Sequence, residues 1–179
     1  MDRSTIIKNL NETYSAFFDF IAEMSEAEFT FSPDGTKWTP GQQLDHLCRS
    51  VAPLNKGLKA PEFALKAMFG KANRPSTTYD ELVARYRAEL AAGGSAPAPF
   101  RPEEIAFDRK DELLADLRGH VDRLSKSIEK YDEEKLDNLV LPHPLLGKLT
   151  IREMIYFTIY HGEHHRRRTE ENLAKSAMA

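Results

Sequence analysis

The 179-residue chain has one cysteine, one tryptophan and no excess of basic over acidic residues. A single cysteine excludes an internal disulfide framework and any cysteine-rich zinc site. With 25 Lys and Arg against 28 Asp and Glu, the formal net charge is −3. Nucleic acid, which binds basic surfaces, is therefore not an expected partner. No apolar run approaches bilayer-spanning length, so no membrane is expected either. The chain starts directly on an amphipathic pattern, with no charged-then-apolar leader, and a cytoplasmic location is the expectation. No Glu-x-x-His pair occurs, which removes the carboxylate-bridged di-iron bundle. Alternation with period two is missing over any useful length, so no sheet is expected. A hydrophobic content of 41% with 30% charged residues is that of an ordinary globular protein, here expected as a single domain, 1–179.

Helical periodicity fills the space these absences leave. From Ser4 to Met24, apolar residues including Ile7, Leu10, Tyr14, Phe17 and Ile21 recur at three- and four-residue spacing. A second helix opens at Trp38-Thr39-Pro40, where Thr39 caps, Pro40 takes the first helical position and Gln42 completes a capping box. It is expected to break or kink at Pro53. On its wheel Leu44, Leu47 and Val51 form the apolar stripe. His46 falls to one side and reads as a boundary residue, and Cys48, far round the helix from His46, reads as core. Pro61 to Gly70 and Thr78 to Ala92 read as short helices, and the Gly- and Pro-rich stretch from Gly93 to Pro99 reads as a loop. Asp108 to Tyr131 returns to strong periodicity, with His120 at the edge of its stripe. Leu141 to Gly147, containing His143, reads as a loop. Several long amphipathic helices of this kind make an all-α four-helix bundle.

The last helix, Leu149 to Arg168, carries the chemistry. Thr150 and Glu153 form its capping box. His161 and His165, one turn apart, can converge on one small object. His165 falls inside the stripe of Ile151, Ile155, Thr158 and Gly162, while His164 points to the flank of Glu153 and Phe157. The metalloprotease motif needs Glu directly after the first histidine, and position 162 is glycine. What remains is a mononuclear site of neutral nitrogens, His161, His165 and one histidine from another helix, suited to Zn²⁺, Ni²⁺ or Fe²⁺.

The combination of Trp38, Thr39, Leu44, His46 and Leu47 with His143, Pro144, Gly147, Leu149 and Thr150, and then His161 and His165, resembles the DinB-like superfamily. The resemblance covers nearly the whole chain. It implies an up-down-down-up four-helix bundle with short extra helices in a long crossover between the second and third bundle helices, about 61–102. It also implies three metal ligands, His46, His161 and His165, which raises His46 from boundary residue to ligand. The implied activity is a divalent-metal-dependent S-transfer from a low-molecular-weight thiol to a small electrophile, or a hydrolytic variant of it. Trp38, His120 and Arg152 are candidates for contacts to the substrate. The expected partner is a small-molecule substrate, with a homodimer left open. The alternatives are a non-catalytic metal-binding or stress-related interaction protein, and a metal-free helical scaffold.

Overall fold

Side-chain capping sets where three of the four long helices begin. In the computed structural model, which describes residues 1–175, Asp2, Thr39 and Thr150 cap α1 (Arg3–Ala22), α3 (Pro40–Lys59) and α8 (Ile151–Leu173). The last four residues of the expected domain 1–179 lie outside the described residues. Both threonines belong to complete capping boxes, with Gln42 and Glu153 as the reciprocal partners. The remaining helices are α2 (Glu26–Phe29), α4 (Glu62–Phe69), α5 (Tyr79–Ala91), α6 (Lys110–Ile128) and α7 (Glu133–Asn138).

Cross-helix contacts give the bundle its direction. Asn11 meets Ser125, and Lys110 reaches back to the carbonyls of Ala22 and Met24, so α1 and α6 run antiparallel. Cys48 contacts the carbonyl of Leu113 and Asn55 that of His120, so α3 and α6 run parallel. Met1 meets Tyr156 and Tyr14 meets the carbonyl of Thr158, so α1 and α8 are parallel too. The four long helices thus run up, down, down, up in chain order. One core joins them through Tyr14, Phe17, Leu47, Leu117, Leu124 and Ile155, all buried. Burying such side chains contributes about 1.5–3 kcal/mol each against leaving them exposed. Gly162 lets α1 approach α8 closely, because a Cβ there would stand 3.2 Å from the Tyr14 ring.

Two expectations are corrected. The segment read as a loop from Leu141 contains a β-hairpin, β1 (Val140–His143) paired antiparallel with β2 (Gly147–Thr150). Each strand is only four residues long, too short to show a period, and Gly147 takes the positive φ of 71° that its turn requires. The second correction concerns Pro53, which neither ends nor breaks α3. Pro53 lies on the exposed side, so the carbonyl it deprives of a partner belongs to the wet face. Val51, Leu54, Asn55 and Leu58, all buried, hold the helix by packing.

The crossover changes the surroundings of α8. Its first turns are buried on every side, Arg152 and Glu153 included. Glu153 is fully buried and accepts from both guanidinium nitrogens of Arg74, from the backbone and hydroxyl of Thr77, and from the backbone N–H of Thr150. Arg152 is committed to Asp137 and Glu133. The crossover is therefore fastened to α8 by a satisfied ionic cluster, and α5 is laid along it.

Candidate metal centre

α3 and α8 run antiparallel where they face each other, and their facing turns bring His46, His161 and His165 together. All three are buried, and one nitrogen from each lies within 4.8 Å of the others, a group that could hold a metal ion. The Nε2 of His161 stands 3.1 Å from that of His46 and 2.9 Å from that of His165. Donor atoms about 2.1 Å from a common ion lie roughly 3.0–3.4 Å from one another, so the spacing fits a shared cation with small adjustments.

The outer nitrogens decide the protonation. His46 Nδ1 donates to the carbonyl oxygen of Phe100 at 2.6 Å, and His165 Nδ1 donates to the side-chain oxygen of Gln43. Both rings therefore present a bare Nε2 lone pair to the centre. His161 Nε2 has at most one proton to offer two lone pairs, so the cluster is short of positive charge at its middle. Burial, the largest cause, lowers the pKa of all three below the ordinary 6.5, and well below it for His161 and His165, where the neighbouring imidazoles add repulsion. Neutral imidazoles oriented by Nδ1–H bonds to fixed oxygens are what a metal ligand set requires.

His46 was the hardest of the three to read from its helix alone. Its wheel position lies beside the apolar stripe, yet the segment Ala98–Phe100 covers it from the crossover and Trp38 packs against it at 4.9 Å. Trp38 also stacks on His165, at 6.2 Å and 14° between planes. His164 is not part of the cluster. It lies half-buried among the rings of Tyr86 and Tyr160, and its Nδ1 has no hydrogen-bond partner among the described residues. His120 sits on α6, its Nδ1 accepting from Arg123. Arg152, held in its ion pairs, is not available to a substrate, and Cys48 is a core thiol whose pKa burial pushes up to about 12.

Beside the histidines opens a cavity of about 270 Å³, with His46 and His161 in its wall. Most of its surface is apolar, from Val51, Leu54, Leu90, Phe100, Met154 and Phe157 among others, and among the described residues no Lys, Arg, Asp or Glu lines it. The crossover and the hairpin supply much of the wall, so the insertion, read from the sequence as two short helices and a loop, forms one side of the chamber. His143, at the end of β1, also lines it. Sequence reasoning gave His143 no role; the signal was its place in His-Pro-x-x-Gly, a turn whose backbone N–H groups need an acceptor.

An up-down-down-up bundle with a buried three-histidine cluster between its second and fourth long helices defines the class of protein. The chain belongs to the DinB superfamily, whose family model matches residues 9–168. Solved structures share the fold at low identity. TT2238, described as a four-helix bundle protein, superposes with a TM-score of 0.59 at 15% identity, over 94% of this chain and 98% of that one. YfiT from Bacillus subtilis, described as a probable metal-dependent hydrolase with an unusual four-helix bundle topology, gives 0.61 at 16% identity, over 98% and 87%. A conserved protein from Enterococcus faecalis gives 0.62 at 15%, over 96% and 95%. No curated protein matches the chain.

Proposed function

We propose that the chain is a metal-dependent enzyme in which His46, His161 and His165 hold one divalent ion, Zn²⁺, Ni²⁺ or Fe²⁺. The reaction is S-transfer from a low-molecular-weight thiol to a small electrophile. The observation that carries the reading is the pair of bare Nε2 lone pairs converging on His161 in the wall of a half-open cavity with no charged side chain among the described residues. When bound, the ion supplies positive charge that lowers the pKa of an adjacent thiol or water molecule. Phe100 and Gln43 keep the two flanking imidazoles in the ligand tautomer. The apolar wall lowers the polarity around the nucleophile. In the transfer, the new S–C bond forms as the bond from carbon to the leaving group breaks, and the leaving group departs with that electron pair.

Two features favour thiol over water as nucleophile. Among the described residues no carboxylate lines the cavity to serve as general base, and a thiol beside a cation loses its proton without one. A protein nucleophile has no support, because the Cys48 thiol is buried in the core with its pKa pushed up to about 12. Hydrolysis is the second reading, favoured by the likeness to YfiT, described as a probable metal-dependent hydrolase.

The test is a panel of low-molecular-weight thiols with a chromogenic electrophile, run on wild type, Cys48→Ser and His161→Ala. Turnover that survives in Cys48→Ser and vanishes in His161→Ala supports the reading. Loss in Cys48→Ser with fold and metal intact contradicts it. Turnover with no added thiol favours hydrolysis, and no turnover of any kind favours a non-catalytic metal-binding protein.

A further inference from the structure

His143 is a buried histidine outside the ligand set, and its proton can be placed. Its Nδ1 accepts two backbone hydrogen bonds, from the N–H of Leu145 at 3.2 Å and of Leu146 at 3.1 Å. An acceptor nitrogen carries no proton, so in the neutral ring the proton sits on Nε2. Neutrality follows from the surroundings: the ring is buried, and the Arg85 guanidinium stands near it. Among the described residues none accepts a hydrogen bond from Nε2. The ring lines the cavity, edge-on to Phe157 at 4.2 Å, and Phe157 in turn stacks on His161 at 4.7 Å. A neutral N–H donor thus borders a chamber whose wall is otherwise mostly apolar, with no charged side chain among the described residues. The Ser50 and Thr158 hydroxyls are spent on the carbonyls of His46 and Met154, and Tyr86 adds one phenol.

We propose that the cavity takes an uncharged, largely apolar molecule bearing one hydrogen-bond acceptor oxygen, and that His143 receives this oxygen through Nε2–H. Away from the ion, no side chain of the wall offers a counter-charge, so a charged substrate would leave water there uncompensated, which is strongly unfavourable. A hydrocarbon would leave the donor unpaired, so the site distinguishes a carbonyl compound from its hydrocarbon isostere. The proposal takes the cavity as the substrate chamber of the reading above and rests on it. The side chain also supports its own turn, so its two roles must be separated. His143→Asn does this, since an Asn side-chain oxygen can accept from the N–H groups two and three residues on while the far donor is removed.

The experiment uses metal-free protein and three probes of similar shape: acetophenone, α-methylstyrene, in which carbon replaces the carbonyl oxygen, and benzoate. Histidine side-chain ¹⁵N spectra of wild type and His143→Asn assign the His143 signals by their loss in the variant. The expected result is an Nε2-protonated, neutral His143 whose Nε2 signal moves with acetophenone and not with α-methylstyrene. Acetophenone should bind wild type about threefold to tenfold more tightly than α-methylstyrene, and the preference should vanish in His143→Asn. Benzoate should bind least. A proton on Nδ1, equal affinity for the two neutral probes, or tightest binding of benzoate overturns the proposal. Zinc titration of the same samples separates the two readings. Zinc binding without ketone preference removes this inference alone, and ketone preference without zinc binding removes the metal reading alone.

Discussion

The Nδ1 of His165 on α8 donates to the side-chain oxygen of Gln43 on α3, one turn before His46 on the same helix. Both residues are buried. The bond couples the two helices that supply the three histidines and keeps the His165 proton away from the centre. Gln43→Leu removes the acceptor and leaves the ring free to change tautomer. Metal affinity should fall about 10–100-fold with the helical content unchanged. Competition titration with a chromophoric chelator measures it, and unchanged affinity would show that Gln43 plays no part.

His164 and His165 are adjacent in sequence and differ in surroundings. His165 faces the cluster, while His164 lies among Tyr86 and Tyr160. His165→Ala should abolish stoichiometric metal binding, and His164→Ala should retain it. Equal loss in both variants, measured by metal analysis after dialysis, would mean that the wrong face of α8 has been assigned.

Glu153 should make the fold acid-sensitive. Burial pushes its carboxyl up, but Arg74 and the backbone N–H groups of Thr77 and Thr150 outweigh burial and hold it below the ordinary 4.5. As pH falls the unfolded chain takes up this proton before the folded one does. The stability Glu153 contributes is therefore complete above about pH 5 and is lost as pH falls through its lowered folded value. Denaturant midpoints from pH 7 to 3 should fall less steeply for Glu153→Gln than for wild type. At neutral pH, Glu153→Ala should cost about 2–5 kcal/mol, because it leaves buried donors unpaired. Arg74→Ala should cost less, since the carboxylate keeps its Thr77 and Thr150 partners.

Most of the bundle was legible because its determinants are local. The capping boxes at Thr39 and Thr150 and the stripes through Tyr14, Leu47, Leu117 and Ile155 lie within single helices. His161 and His165 were legible for the same reason, as a pair one turn apart on one face. What was not legible depends on segments distant in sequence. From its own helix His46 reads as a boundary residue, raised to a ligand only by the family resemblance, until Phe100 and Trp38 cover it. Pro53 reads as a breaker until packing on the opposite face of α3 holds the helix through it. Glu153 reads only as a cap until Arg74, 79 residues earlier, arrives beside it. The hairpin escaped because four residues cannot display a period, and with it went the position of His143.

The proposed binding of one divalent ion by three histidines from two helices is checked by metal stoichiometry. Protein prepared without a polyhistidine tag should bind one equivalent of divalent metal, with imidazole nitrogens about 2.0–2.2 Å from the ion by X-ray absorption. His46→Ala, His161→Ala and His165→Ala should each lose that equivalent while keeping the helical circular dichroism of wild type. Full metal occupancy in His46→Ala, or no bound metal in wild type after incubation with Zn²⁺, Ni²⁺ and Fe²⁺ in turn, would contradict the account.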